Sequence, residues 1–176
     1  MARIPVIAVI GANSAIDEVL EIATAVGEAI SERGFHLVCG GKQGVMAAAC
    51  KGFRFARNEL SIVRTLAIGV LPEDTPHSAN EFVDLVLPAG IGIARNALVI
   101  RMADGVISVG GGSGTLSELA FAWQMGKPIA AMASSGGWSA RLAGTCVDEN
   151  RAEPIYAARS AHEALSYIVS RMENRK

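Results

Sequence analysis

The sequence predicts an α/β fold: a Rossmann-like, doubly wound, mostly parallel sheet forming a single domain over residues 1–176. Short apolar runs alternate with helical patterns along the whole chain, hydrophobic residues make up 51% against 19% charged, and glycines cluster where three of the apolar runs end. A strand covered on both faces reads as a continuous apolar run. Repeated strand-helix units of this kind require right-handed crossovers and a parallel sheet.

Ile4–Ile10 is such a run and stops at Gly11. Ser14-x-x-Asp17 then offers a start signal of the capping-box kind, followed by Ile16, Leu20, Ala23, Val26 and Ile30 at helical spacing up to Gly34. Phe35–Cys39 is the second strand, broken by Gly40-Gly41, and a helix covers about Gly44 to Asn58. Val63–Leu71 is the third strand, stopped by Pro72, and the polar Pro72–Asn80 stretch reads as a surface loop. Phe82–Leu87 is the fourth, and a glycine-bearing link leads into a short helix, Ala94–Met102. Asp104–Val109 is the fifth strand, Ser113–Met125 a helix ended by Gly126, and Pro128–Ala133 the sixth strand. Ser134–Gly137 reads as a flexible link to a short helix, Trp138–Ala143. Glu153–Ala157 adds an edge strand before the last helix, Ala161–Arg171, for which Ser160-x-x-Glu163 is a second capping box.

Several functions are disfavoured by composition. A net charge of −1 with no long basic run argues against nucleic acid as a partner. Cys39, Cys50 and Cys146 lack C-x-x-C spacing, and His36, His77 and His162 lie far apart, so no metal site is expected. The cysteine usage and the short first apolar run point to the cytoplasm and away from a membrane.

Chemistry concentrates in Gly110–Glu118. Glycines after a strand let the backbone turn tightly and approach a bulky anion, and the following helix presents unpaired N–H groups. Gly111, Gly112, Ser113, Gly114 and Thr115 are therefore candidate phosphate ligands, while Thr115-x-x-Glu118 also fits a capping box. Gly11 and Gly40-Gly41 end two more strands, so three turns are expected to converge on one crevice at the switch of strand order. Arg95 opens a helix, where the dipole disfavours positive charge, and is thus expected to face an anion or a carboxylate. Arg101 either pairs with Asp104 or lines the pocket. No G-x-G-x-x-G follows the first strand. Both Gly-Lys pairs lack the upstream glycine of a Walker A loop, with His36 and Phe121 in its place.

Together, Arg95, Arg101 and Gly110-Gly111-Gly112-Ser113-Gly114-Thr115-Leu116-Ser117-Glu118 resemble the LONELY GUY phosphoribohydrolases, whose signature is P-G-G-x-G-T-x-x-E preceded by an arginine. Gly110 replaces the signature's proline, and Arg95-Asn96 replaces its Arg-Lys pair. The Gly92-x-Ala94-Arg95-Asn96 form looks closer to a sister group that includes molybdenum-cofactor carrier proteins. The resemblance implies hydrolysis of nucleoside 5′-monophosphates to base and ribose 5-phosphate, with Arg95 and Glu118 as catalytic residues. The alternative it implies is a non-catalytic carrier with molybdenum cofactor as cargo. No resident cofactor is required on either reading, and a homodimer or larger homo-oligomer is implied. The older decarboxylase label of the family is not supported, since none of the lysines Lys42, Lys51, Lys127 and Lys176 stands in a Schiff-base context.

Overall fold

A computed structural model describes residues 3–62 and 64–174. Its strands are β1 (Val6–Gly11), β2 (His36–Cys39), β3 (Ala67–Leu71), β4 (Leu85–Pro88), β5 (Gly105–Val109), β6 (Ile129–Met132) and β7 (Tyr156–Ala158). Its helices are α1 (Asp17–Glu32), α2 (Val45–Glu59), α3 (Asn96–Met102), α4 (Ser113–Gln124), α5 (Gly137–Leu142) and α6 (Ala161–Glu173). The strands form one sheet in the order β4-β3-β2-β1-β5-β6-β7, and every neighbouring pair is parallel. The chain winds outward from β1 to one edge, returns to lay β5 beside β1, and winds out to the other edge. Strand order therefore reverses between β1 and β5, where Gly11 stands opposite Val109. That reversal opens a crevice beyond the strand ends.

Side chains along β1 alternate between two apolar layers, as the two-residue period of a strand dictates. Ile7 and Val9 pack with α1, α2 and α6, and Ala8 and Ile10 with the layer formed by α3 and α4. Each isoleucine so buried contributes roughly 1.5–3 kcal/mol by removal from water. The helices α1 and α2 approach to backbone contact. A methyl on Gly27 would strike the Ala49 carbonyl, and one on Gly52 the Thr24 carbonyl. Helices α1 and α4 both end where the sequence placed a glycine. Phe35 N–H reaches Ile30 O at 3.2 Å beside Gly34, and Lys127 N–H reaches Ala122 O at 3.0 Å beside Gly126, the paired bonds of a Schellman close.

Several boundaries move, among them the start of the edge strand, which shifts from Glu153 to Tyr156. The third strand begins at Ala67, and Val63, which the sequence reading included, lies outside the described residues. The fourth begins at Leu85 because Phe82 and Val83 leave the edge to pack on the core. A 3-10 turn, Gly92–Arg95, precedes α3. The Ser14 cap does not form: α1 starts at Asp17 after Ile16, with no side-chain cap. The intervening residues are used elsewhere, Ala12 O accepting from Val45 N–H (3.0 Å) and Asn13 Oδ1 from Gln43 N–H (3.1 Å). The Ser160 cap does form, with Glu163 N–H donating to its hydroxyl at 3.2 Å. Among the described residues no helix is long and apolar enough to cross a membrane.

Candidate functional site

The crevice at the reversal point has a volume of about 380 Å³. Its walls come from four stretches that only the fold brings together. The end of β1 supplies Gly11, Ala12 and Asn13; the β2–α2 turn supplies Lys42 and Met46; the start of α3 supplies Arg95 and Asn96; and α4 supplies Gly112, Ser113, Gly114, Thr115 and Glu118.

The α4 wall is mostly backbone. Gly112 is the N-cap and offers no side chain, and the first hydrogen bond of the helix is Leu116 N–H to Gly112 O at 3.0 Å. The amides of Ser113, Gly114 and Thr115 precede that bond and so lack helical partners. Gly112, Ser113 and Gly114 are exposed, and Thr115 is buried with its side chain packed under Gly111. With the N-cap at Gly112, Glu118 lies beyond the first turn. The Thr115-x-x-Glu118 capping box is therefore absent.

Glu118 is instead buried in the crevice floor and meets Arg95, Nη1 to Oε1 at 3.3 Å. Burial pushes the Glu118 carboxyl up to about 7, and the Arg95 charge opposes that rise only in part. The same Nη1 donates to Asn96 Oδ1 at 2.8 Å, while the buried Nε of Arg95 has no hydrogen-bond partner. Asn96 binds across to α4, donating to Ser117 Oγ (2.8 Å) and Gly114 O (3.4 Å). A residue that the sequence marked only as a departure from a family pair thus fastens the arginine segment to the start of α4.

The opposite wall carries charge on side chains. Lys42 Nζ sits 2.7 Å from Glu73 Oε1, and Ser78 Oγ donates to the second Glu73 oxygen at 2.7 Å. Those hydrogen bonds hold the Glu73 carboxyl down to about 2. Buried Asn80 fixes the turn from behind, its Nδ2 donating to the carbonyls of Gly41 (3.2 Å) and Lys42 (2.9 Å). The Pro72–Asn80 stretch, expected as a simple surface loop, is therefore a buttress of the crevice.

Of the candidates named from sequence, Gly11, Arg95, Gly112, Ser113, Gly114, Thr115 and Glu118 line one cavity. Three glycines stand behind it. Gly40 lies against the guanidinium of Arg95, Gly41 gives its carbonyl to Asn80, and Gly111 gives its own to Trp138 N–H. Arg101 is corrected: it stands exposed near the far end of α3 and does not line the crevice. Six residues of helix separate it from Arg95, roughly 9 Å of rise, which carries it away from the site. Asp104, considered as its partner, accepts from Val6 N–H and pairs with Arg3. Asn13, Lys42, Met46 and Asn96 are crevice residues that were not assigned from sequence. Lys42 and Met46 carried a signal by following Gly40-Gly41, and Asn96 by its place beside Arg95; Asn13 carried none. Among the described residues no cluster of three or more His, Cys, Asp or Glu side chains is placed to hold a metal ion.

Comparison with known proteins places this architecture. The molybdenum cofactor binding protein from the phototrophic bacterium Rippkaea orientalis is 30% identical and superposes with a TM-score of 0.83, over 98% of this chain and 99% of that one. The molybdenum cofactor carrier protein from Chlamydomonas reinhardtii is 25% identical with a TM-score of 0.77, over 97% and 99%. An uncharacterised protein of Archaeoglobus fulgidus is 40% identical over 126 residues, 72% of this chain and 78% of that one. Residues 4–165 match the SLOG cluster4 family, and the chain belongs to that family.

Proposed function

We propose that the crevice binds a phosphate-bearing small molecule, the phosphate seated on the amides of Ser113, Gly114 and Thr115, and that its ligand is a pterin-type cofactor carried as cargo. One observation carries the reading: a helix start bare of any capping side chain opens at the reversal of strand order onto a cavity of about 380 Å³. Such an end holds roughly half a positive charge together with unfilled donors, which suits a phosphate ester. The similar proteins named for molybdenum cofactor support the cargo assignment. The engagement of Asn96 with α4, where the hydrolases carry a lysine, also favours binding over turnover. On this reading the protein acts in the cytoplasm, Arg95 contacts the ligand, and the assembly is a homo-oligomer.

A second reading, hydrolysis of nucleoside 5′-monophosphates, is favoured by Glu118. A carboxyl raised to about 7 is divided between acid and base near neutrality, as general acid-base chemistry at an N-glycosidic bond needs. The two readings part in one experiment. Protein purified from cells that make molybdenum cofactor is analysed for molybdenum and for a fluorescent oxidised pterin. Separately, it is incubated with a panel of nucleoside monophosphates and free base is followed by chromatography. Stoichiometric pterin with no base release is expected. Base release from AMP or a related nucleotide, with no pterin retained, would overturn the carrier reading in favour of the hydrolase.

A further inference from the structure

The segment between β6 and α5 was expected to be a flexible link, and the structure makes it the tightest support in the site. A 3-10 turn, Ala133–Ser135, leads through Gly136 into α5. This turn and the start of α5 fold back onto Gly110 and Gly111, the two residues that deliver the chain from β5 to the phosphate loop. Ser135 Oγ accepts from Gly110 N–H at 2.7 Å and donates its own O–H to Met132 O at 2.6 Å. Ser139 takes Gly110 O twice, from its N–H at 3.0 Å and from its hydroxyl at 2.7 Å. Trp138 N–H takes Gly111 O at 3.0 Å. Ser108 of β5 closes the network through a buried contact between its hydroxyl and that of Ser139. Gly137 meets this loop with no room for a side chain. Ser108, Ser135 and Ser139 are each at most 4% exposed.

Both backbone groups of Gly110 and the carbonyl of Gly111 are thus spoken for, and Gly111 itself sits at φ +96°. A left-handed glycine has a broad range of conformations open to it, so something outside the loop has to select one. The residue that follows, Gly112, is the N-cap whose orientation decides where the next three amides point. None of these serines lines the crevice. They touch no ligand and act through the backbone they hold.

We propose that Ser139, seconded by Ser135, is a positioning residue of the phosphate site: the first turn of α5 sets the path of Gly110–Gly111 and thereby aims the amides of Ser113 and Gly114. This rests on the phosphate reading above. Low affinity would follow from its loss because a misdirected donor weakens a charge-assisted bond steeply with angle.

The test uses inorganic phosphate as probe, followed by the amide resonances of Ser113, Gly114 and Thr115 in isotope-labelled protein. Ser139→Ala is expected to weaken phosphate binding about tenfold and to speed hydrogen exchange of the Gly110 and Gly112 amides by at least as much. Ser135→Ala, which removes the acceptor for Gly110 and the donor to Met132 O, repeats the experiment should Ser139→Ala fail to fold. Ile168→Val, packed on Gly105 at the other end of β5, supplies a comparable loss of stability and is expected to leave phosphate affinity unchanged. Unchanged affinity in the serine variants, or an equal loss in Ile168→Val, sinks the positioning role and leaves the phosphate reading standing. No response of these amides to phosphate in the wild-type protein overturns both.

Discussion

The two glycine turns that frame the crevice look alike in sequence and work differently. Gly40–Gly44 and Gly110–Gly112 each follow a buried strand and open a helix that has no side-chain cap. Each is also held from behind by buried polar side chains, Asn80 for the first, Ser135 and Ser139 for the second. The second leads to a wall of bare backbone, with Gly112 and Gly114 leaving the donors of α4 open to solvent. The first presents a charged side chain, Lys42, already neutralised by Glu73, and backs Arg95 through Gly40. On the proposed phosphate reading, anion affinity belongs to the turn without side chains, and the turn with the lysine shapes the cavity.

The sharpest way to break that division is Gly112→Asp. Nothing lies within 4 Å of a Cβ there, and the extended backbone at φ −105° is outside the left-handed region reserved for glycine. Aspartate is a favourable N-cap, better than glycine by a few tenths of a kcal/mol. The fold is therefore expected to be as stable as before or slightly more so, while a carboxylate fills the phosphate seat. Phosphate-ester affinity should fall about 10³-fold, since charge-assisted donors each worth about 1.5–3 kcal/mol are consumed and a like charge is added. Titration calorimetry and a melting curve on the same sample read both quantities. Retained affinity would move the phosphate to the Lys42 turn.

Glu118, which Arg95 links to the first turn, gives the next largest effect. Its carboxyl titrates near 7 in the fold against an ordinary 4.5. A raised acid binds its proton more tightly when folded, so its contribution is fully present below pH 4.5 and is lost as pH rises towards and through 7. The difference between pH 4 and pH 8 is on the order of 3 kcal/mol. Glu118→Gln should flatten that slope, whatever its offset, in denaturation curves taken across the interval. An unchanged slope would show that Arg95 keeps the carboxylate charged.

Much of this was legible from the chain. The parallel sheet followed from continuous apolar runs, and Gly110–Thr115 stood out because glycines after a strand let the backbone come close to an anion at a helix start. What the sequence hid were contacts made at long range by residues with bland local signals. Asn80 and Ser135 read as solvent-facing loop residues because polarity alone does not tell a buried partner from water. The Ser14 cap failed for a related reason: the chain after β1 is drawn across to the start of α2, so a good local signal loses to a tertiary contact. Arg101 was read as either pairing with Asp104 or lining the pocket, but one turn and two-thirds of helix beyond Arg95 put it on another surface.

Asn80→Ala probes the support of the first turn. It removes the side-chain donor to Lys42 O and the side-chain acceptor for Phe82 N–H, while Gly41 O keeps its bond from the backbone N–H of residue 80, at about 1–3 kcal/mol. Lower stability is expected with phosphate affinity changed less than threefold, because the α4 amides are untouched. A urea titration and the calorimetry above decide it. Equal losses in both would mean that the two turns act as one unit.

The smallest expected effect on phosphate affinity comes from Gly40→Ala, and its reach to Arg95 makes it informative. A methyl at Gly40 would stand 2.5–2.7 Å from the guanidinium of Arg95, so one of the two has to move. The arginine head is the far end of a flexible side chain, and its Nε has no bond to lose. Displacement of Arg95 towards the cavity is therefore expected. Its contact with Glu118 is already long at 3.3 Å and should break. Freed from that partner, Glu118 loses its one compensating charge, and its titration should move above 7 as burial acts unopposed. Carbon-13 resonances of the Glu118 carboxyl, followed against pH in the variant, measure this directly. A titration that stays put would mean that Gly40 yields and Arg95 holds, giving the first turn the flexibility assigned here to the side chain it backs.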